Sequence, residues 1–554
     1  MVSQFTKSLR GAIVLFLLLL INVARPEVFT ALVEMEELLE TEAVLITNLE
    51  EYIKAQEEKI QFLKKKAAEY QSEHNEAAAD ITGYLSNPIN AFLLTKRLTT
   101  DWKEVENVML YDVGSTYLEN VTNYRNILPF PTEEDLNGAA VALMRLQDTY
   151  KLDTASVARG ELNGIQYTSE MSVGDCFELG RQSYINGDHY HTVLWMREAM
   201  DRLLRSENKT STTKADILEY LAFSTYKQGN IDSALTMTNE LLELKPNHER
   251  AIGNKQYYEK ELAMQKMDRK LRGDDGSEDL NMDFEQIRTV SDPSKFDLPE
   301  RRLYEMLCRG EIQPLPIQLA PLRCRYATNN RAFLKIAPLK LEEASLSPYI
   351  VIYHDVMSDE EIEVIKKWQN HGSALFRRAT VQNHKTGELE IAHYRISKSA
   401  WLKDEDHEFV KRIGRRVEDM AGLTVETAEE LQVVNYGIGG HYEPHFDFAR
   451  KEETNAFKSL GTGNRIATVL FYMSDVTQGG ATVFPSIRTA LWPKKGTAAF
   501  WHNLFTSGEG DYQTRHAACP VLAGTKWVSN KWLHERGQEQ LRPCKLYPDH
   551  PPMY

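Results

Sequence analysis

Two histidines and an aspartate give the first chemical signal. The stretch NYGIGGHYEPHFDFA, Asn435 to Ala449, reads as a strand, a glycine-bearing turn and a second strand. His445 and Asp447 are two residues apart, and in a strand residues i and i+2 face the same way. An imidazole and a carboxylate therefore converge on one spot. His516 follows 71 residues later, at the head of a second strand-like run, HAACPVLAGTKWVSNKWLHE. Two His and one carboxylate with other positions left open form the ligand set of a non-haem Fe(II) oxygenase. Lys526 lies ten residues past His516, inside the apolar run TKWVSN. A lysine there is costly unless something anionic pairs with it. An H-x-D pair or a lone His more often marks ordinary structure; the four residues together carry the reading.

The elements that must position these groups come next. From about Ser347 to Tyr554 the chain alternates short strand-like runs with Gly-rich turns: LQVVNYG, HYEPHFDF, RIATVLFYMSD, ATVFP, TAAFWHNL and TKWVSNKWLHE. Many short punctuated strands predict a barrel or jelly roll. Upstream, residues 161–267 hold a helical repeat. Two units, each helix, tight turn, helix, have turns at Gly187-Asp188 and Gly229-Asn230, 42 residues apart. Tetratricopeptide repeats have a period of 34; the polar insert Ser206 to Thr213 accounts for the difference. Tyr220, Phe223 and Tyr226 recur every three residues, with Tyr257 and Tyr258 on the next helix. Core packing is one reading of this row. A groove for polyproline II peptides is the other.

Farther upstream, residues from about Phe29 to Gln71 predict one long helix. Leu32, Leu39, Ile46, Ile53, Ile60 and Ala67 fall at heptad position a. Met35, Glu42, Leu49, Gln56, Leu63 and Tyr70 fall at d. Such spacing predicts a coiled coil, satisfied by self-association or by an intramolecular hairpin with Asn90 to Val108. Residues 1–24 resemble a secretory signal: Lys7 and Arg10 precede the apolar run Ala12 to Ile21, and Ala24 suits a cleavage point. An uncleaved anchor is the alternative. No other stretch is apolar enough to span a membrane. Asn120 and Asn208 head glycosylation sequons. The net charge of −15 argues against a nucleic-acid partner. Residues 268–300 are polar and acidic and read as linker. Five Cys do not make a disulfide scaffold. In an oxidising compartment, Cys308 with Cys324 and Cys519 with Cys544 are plausible pairs, leaving Cys176 a buried thiol.

In YEPHFDF, FYMSDV, GGATVFP and HAACPVLAGTKWVSNKWLHERGQE the chain resembles the alpha subunits of collagen prolyl 4-hydroxylase. These are dioxygenases dependent on Fe(II) and 2-oxoglutarate. The resemblance is very close here and continues more weakly along the whole chain. It implies a multidomain α + β architecture with these boundaries: signal peptide 1–24; helical coiled-coil dimerisation region 25–160; TPR-like all-α peptide-binding domain 161–267; linker 268–346 with the Cys308/Cys324 loop; and a double-stranded β-helix (jelly-roll) catalytic domain 347–554. It implies iron on His445, Asp447 and His516, and the distal carboxylate of 2-oxoglutarate on Lys526. Tyr436 and Thr482 are expected at the co-substrate, and His534 is expected to orient it. Arg465 is expected to hold the peptide near the iron. Tyr220, Phe223, Tyr226, Arg250, Asn254 and Tyr257 are expected to bind peptide. Phe223 and Lys260 stand where the family pattern has Tyr. The same two disulfides are implied.

The implied reaction hydroxylates proline in X-Pro-Gly sequences, consuming O2 and converting 2-oxoglutarate to succinate, with L-ascorbate keeping the iron ferrous. The implied partners are procollagen or a Pro-rich peptide and protein disulfide isomerase, in an α2β2 heterotetramer. The chain ends HPPMY and carries no retention tetrapeptide, so that partner would account for retention in the endoplasmic reticulum lumen. Two other readings stay open: the same chemistry on a non-collagen Pro-rich secreted protein, and a catalytically dead procollagen-binding scaffold.

Overall fold

The computed structural model describes residues 31–167, 170–205, 210–272, 299–368, 377–382, 389–391, 395–453, 455–458 and 460–546. The signal segment, Asn208 and most of the acidic stretch expected as linker lie outside these residues. The chain divides into two compact units, residues 33–132 and residues 133–554, the latter grouped with residues 1–32.

The first unit is helical: α1 Leu32–Ala79, α2 Ile81–Ser86, α3 Pro88–Lys96, a π-turn at Arg97–Asp101, α4 Trp102–Leu110 and α5 Gly114–Ile127. Within it, α1 packs through Tyr52 on Tyr117 and through Tyr70 on Trp102. The expected seam is mostly uncovered. Leu39, Ile46, Leu49, Ile53 and Ile60 are 66, 50, 55, 46 and 47% exposed. Asn120 is half-buried on α5, and its amide donates to Asn48.

The second unit opens with α6 Glu133–Tyr150, α7 Thr154–Ala158 and a hairpin of β1 Glu161–Leu162 with β2 Ile165–Gln166. The repeats follow as α8 Val173–Ile185, α9 His189–Arg205, α10 Lys214–Lys227, α11 Ile231–Leu244 and α12 Glu249–Arg272. Their first helices, α8 and α10, both start with capping boxes, Ser172 with Asp175 and Thr213 with Asp216. Each box satisfies two otherwise orphaned backbone donors. Gly187 and Gly229 turn the chain at φ of +72° and +88°, a region costly for side-chain-bearing residues.

Then come α13 Pro299–Cys308, α14 Pro316–Leu319, β3 Cys324–Ala327, β4 Leu339–Leu346, β5 Tyr349–His354 and α15 Asp359–Trp368. The chain continues with β6 Arg377–Arg378, β7 Thr380–Gln382, β8 Leu389–Ile391, β9 Lys398–Leu402 and α16 Glu408–Ala421. The last strands are β10 Leu431–Tyr436, β11 Tyr442–His445, β12 Arg465–Tyr472, β13 Gln478–Gly479, β14 Thr482–Phe484, β15 Thr489–Leu491, β16 Thr497–His502, β17 His516–Ala518, β18 Val521–Ala523 and β19 Lys526–His534. They build a nine-stranded sheet, β3-β4-β5-β16-β12-β19-β10-β9-β6, and a four-stranded sheet, β11-β17-β14-β15. One core joins both sheets: Val434, Leu470 and Trp501 from the larger meet Phe484, Leu491 and Ala518 from the smaller. Central strands β10, β12 and β19 are covered on both faces, and they bury polar side chains such as Gln432, Asn435 and Lys526 along with their apolar ones.

A second core lies behind the smaller sheet. Leu146 and Tyr150 of α6, with Tyr304 and Leu307 of α13, cover Val483, Ala517 and Leu522. So α13, inside the residues expected as linker, is part of the body that holds the site. Helix α6 bridges it to the repeats. One face bonds them through Asn137 to Gln182 and through Gln147, which accepts from the Trp195 indole. The other donates from the Tyr150 phenol to the Pro520 carbonyl at 2.5 Å.

The disulfides depart from expectation. Cys308 is bonded to Cys519, with 5.5 Å between their Cα atoms, while Cys324 and Cys544 are exposed free thiols and Cys176 is a buried one. The reason is the second core: α13 packs against β14 and β15 of the smaller sheet and carries Cys308 to Cys519, which directly follows β17, away from its neighbour in sequence.

The turn before β11 shows how closely α6 is seated. Gly439 has φ of +55°, and a Cβ there would lie 2.9 Å from the Ala142 carbonyl. Gly439→Ala therefore incurs both a left-handed backbone penalty and a clash, together about 2 kcal/mol or more. Chemical denaturation should show that loss; an unchanged midpoint would mean the helix is not held against this turn.

Candidate active site

Strands β11 and β17 place His445 directly opposite His516. Their Nε2 atoms lie 3.6 and 3.7 Å from the two carboxylate oxygens of Asp447. One ligand atom from each of the three residues falls within 4.8 Å of the others. The rest of each side chain is already engaged. His445 Nδ1 faces the Glu443 carbonyl at 2.7 Å, and His516 Nδ1 faces the Thr514 carbonyl at 3.0 Å. Both Nδ1 atoms must donate there, which leaves the Nε2 lone pairs for a cation. Thr468 donates to Asp447 at 2.7 Å and accepts from Asn503 at 2.9 Å, fixing the carboxylate. Burial, reinforced by His516, pushes His445 down to about 3. Burial opposes ionisation of Asp447, but His516 and His445 outweigh it and hold the carboxyl at about 2. A neutral His445, an ionised Asp447 and a His516 whose Nδ1 donates to a carbonyl present the lone pairs that bind metal, so these residues fit a ferrous ion.

The cavity in front of them holds about 40 Å³. Lys526 and Tyr436, paired across β19 and β10, share its wall with Thr482 and Arg395. Lys526 is 1% exposed, with Nζ 5.1 Å from the centre of the Tyr436 ring. Burial, and no opposing charge, pushes its ammonium down to about 7. Thus no carboxylate among the described residues compensates Lys526, which fits the distal carboxylate of a dicarboxylic co-substrate. Thr482 accepts from the Tyr472 phenol at 2.9 Å. Burial raises the Tyr436 phenol above its ordinary value.

Arg465 and His534 are brought together elsewhere. Arg465 makes a two-pronged bond to Glu429 at 2.5 and 2.9 Å, and His534 Nε2 faces the same carboxylate at 3.0 Å. Against the cost of burial, Arg465 and His534 hold Glu429 at about 2. The guanidinium also stacks 4.0 Å from the Trp532 ring and reaches the Asp447 carbonyl at 3.4 Å. The group thus adjoins the metal ligands without lining the cavity. Arg465 is half-buried here, not a charge on an open strand.

In the repeats, Tyr220, Phe223, Tyr226 and Tyr257 form one chain of ring contacts together with Tyr184, edge-on except for the tilted Phe223–Tyr226 pair. Tyr258 stacks on Tyr226 but is 1% exposed, a core residue. Arg250 bonds Glu219 and the Tyr184 phenol, and half-buried Asn254 follows one turn later. Sequence reasoning missed Tyr184, although it precedes Gly187 by three residues, as Tyr226 precedes Gly229. It also missed Arg395, Glu429 and Tyr442, whose ring stacks on His445. The position of Tyr442 on the site strand was the available signal.

A paired sheet carrying His-Asp-His against a buried lysine defines an oxygenase of the iron and 2-oxoglutarate class, and residues 431–534 match the 2OG-Fe(II) oxygenase superfamily. Residues 31–164 match the prolyl 4-hydroxylase alpha-subunit N-terminal region, and residues 173–264 match the prolyl 4-hydroxylase peptide-substrate-binding domain. Prolyl 4-hydroxylase subunit alpha-1 of Bos taurus is 51% identical over 95% of this chain and 97% of its own length. That of Homo sapiens is 51% identical with the same coverage. Subunit alpha-2 of Caenorhabditis elegans is 49% identical over 96% of each. The chain belongs to the prolyl 4-hydroxylase alpha-subunit family.

Lys526 yields a prediction with its sign fixed. Between pH about 7 and about 10.4 the unfolded chain holds a proton that folded Lys526 has lost, so this group makes stability rise with pH across that window. Lys526→Met should abolish that contribution and leave the co-substrate-free protein as stable or more stable at neutral pH. It should also lose the gain that 2-oxoglutarate at 100 times its Kd gives the parent, about 2.7 kcal/mol. Thermal unfolding with and without 2-oxoglutarate reads both; retained protection would place the carboxylate elsewhere.

Proposed function

We propose that this chain is the catalytic subunit of a procollagen-proline 4-dioxygenase. It would convert proline in X-Pro-Gly sequences of collagen-like chains to 4-hydroxyproline. The observation that carries the reading is the pairing of an uncompensated buried ammonium, Lys526, with the His445, Asp447 and His516 donor set across one small cavity. A scaffold with a dead site would have no reason to keep a buried unpaired charge.

His445 and His516 would hold Fe(II) through Nε2 and Asp447 through its carboxylate. With 2-oxoglutarate bound, that ion would activate O2, the oxidant, one oxygen atom of which would end in the C4–OH that replaces a proline C4–H and the other in the succinate formed, with CO2, from 2-oxoglutarate. Lys526 binds and orients the far carboxylate by a charge-assisted bond. The Tyr436 ring and Thr482 shape the walls beside it. Trp501, Leu470 and Val528 keep the cavity dry, which strengthens each electrostatic contact inside it. The Thr468–Asn503 chain fixes Asp447, and Arg465 with Glu429 and His534 braces the backbone behind it. L-ascorbate is the proposed reductant for turnovers that run without peptide.

The ring row from Tyr184 to Tyr257 supports peptide capture, since aromatic grooves take polyproline II chains. The apolar seam of α1 supports pairing of two copies. We further propose a signal peptide at 1–24, residence in the endoplasmic reticulum lumen, and an α2β2 assembly with protein disulfide isomerase, and we take the two sheets as a double-stranded β-helix.

The test is mass spectrometry of a Pro-Pro-Gly repeat peptide incubated with the co-expressed complex, Fe(II), 2-oxoglutarate and ascorbate. One oxygen should appear on the proline preceding glycine, and none with Lys526→Ala. His445→Ala should lose turnover by at least about 10³-fold yet keep peptide binding by the repeats. Normal hydroxylation by His445→Ala would remove the metal assignment.

A further inference from the structure

Lys526 is a point charge on a flexible four-carbon stem, and something must fix where that stem lies. Its floor is Gly480, where an added Cβ would lie 3.4 Å from Lys526 Cδ. Gly479 and Gly480 follow one another at φ of +78° and +68°. Consecutive glycines restrain a chain very little, so this floor is held by bonds from its neighbours. We propose that Tyr150 of helix α6 is the positioning residue that holds it, and through it the Lys526 amine that receives the far carboxylate of 2-oxoglutarate. The proposal rests on the reading of Lys526 given above.

Three contacts link Tyr150 to Lys526. The Tyr150 phenol donates to the Pro520 carbonyl at 2.5 Å. The Gly480 amide donates to the same carbonyl at 3.0 Å, and Gly480 underlies the lysine stem. The phenol oxygen also fills the space that a side chain at Gly479 would need, 2.5 Å from a Cβ there. Around Pro520, Cys519 donates to the Ala481 carbonyl at 2.8 Å and Val521 to the Gly440 carbonyl at 3.2 Å. Those bonds join one loop of the oxygenase to another. Tyr150 adds a restraint from a helix outside the sheets. It is 7% exposed and packs in the second core with Tyr304 and Leu307. Arg309 fixes the end of α6 by donating to the Thr149 carbonyl at 2.7 Å. A phenol seated in a close-packed core moves little, which makes its hydroxyl a fixed point for the turn beneath Lys526. Tyr150 falls in the stretch matched as N-terminal region, not in that matched as oxygenase. The co-substrate wall is thus braced from outside its own sheets.

The experiment compares Tyr150→Phe, which removes only the hydroxyl, with the parent in the co-expressed complex loaded with Fe(II). Calorimetry without O2 gives the Kd of 2-oxoglutarate and that of pyridine-2-carboxylate, which chelates metal but has no far carboxylate. Tyr150→Phe is expected to raise the Kd of 2-oxoglutarate about 10-fold, the scale on which groups that orient a binding residue act. The Kd of pyridine-2-carboxylate and the KM for peptide should stay unchanged. An equal rise for both compounds, or a rise for neither, overturns the proposal. Hydrogen exchange on the parent needs no variant. 2-Oxoglutarate should slow exchange across residues 478–482 and 146–152 more than pyridine-2-carboxylate does, and equal exchange with the two overturns the proposal. Lys526→Ala tests the reading beneath it: an unchanged Kd for 2-oxoglutarate in that variant would place the carboxylate elsewhere, and the role of Tyr150 would fall with it.

Discussion

An amine buried between two sheets, with no carboxylate beside it among the described residues, is the constraint around which this protein is built. Lys526 sits at the start of β19, in the larger sheet, flanked by β10 and β12. The metal donors sit on the smaller sheet and just beyond it. The separation between ammonium and metal is therefore the separation between two packed sheets, set by Val434, Leu470, Trp501, Phe484 and Ala518. Close-packed cores deform little, so a co-substrate that spans the gap is measured against a fixed length. Without a carboxylate opposite, burial pulls the ammonium down to about 7, and a carboxylate bound there would restore its charge.

The same logic orders the layers outward. Carbonyls of Glu443 and Thr514 set the histidine tautomers, and Thr468 sets the carboxylate. Glu429 and Arg465, half-buried, and His534, fully buried, form a satisfied network whose guanidinium touches the Asp447 backbone. Buried charges of this kind are stable only when every member is paired. This trio meets that condition, while Lys526 pointedly does not. The contrast separates a brace from a binding group more cleanly than sequence conservation would.

The donor triad and the lysine were legible because strand periodicity is two and because an apolar strand with one lysine is conspicuous. The repeats were legible through their glycine turns, and Tyr184 would have been had the two units been overlaid. Other features were hidden for physical reasons. Glu429 lies outside the regular strands, where no periodicity marks it. Arg465 reads as an ordinary strand charge until Glu429 and Trp532 are seen to bury it. The disulfide departs from expectation because nearness in sequence says nothing about which helix packs on which sheet: α13 packs on the smaller sheet, so Cys308 meets Cys519. The role of α13 was hidden beside an acidic stretch that did read as linker.

Helix α6 has a consequence for how the chain is made. Its face bearing Leu146 and Tyr150 is buried on Ala517 and Leu522, more than 360 residues later. The oxygenase body is thus assembled from both sides of the repeats, which sit in it like a bead threaded into a loop. During synthesis the repeats can close on themselves, while that face of α6 waits in water until nearly the last strand leaves the ribosome. An apolar helix face exposed for that long is a target for aggregation and for chaperones. Biogenesis of this subunit therefore depends on what shields α6 before β17 and β18 exist, and a catalytic fragment cut at the front of its own sheet would leave β17 and β18 bare.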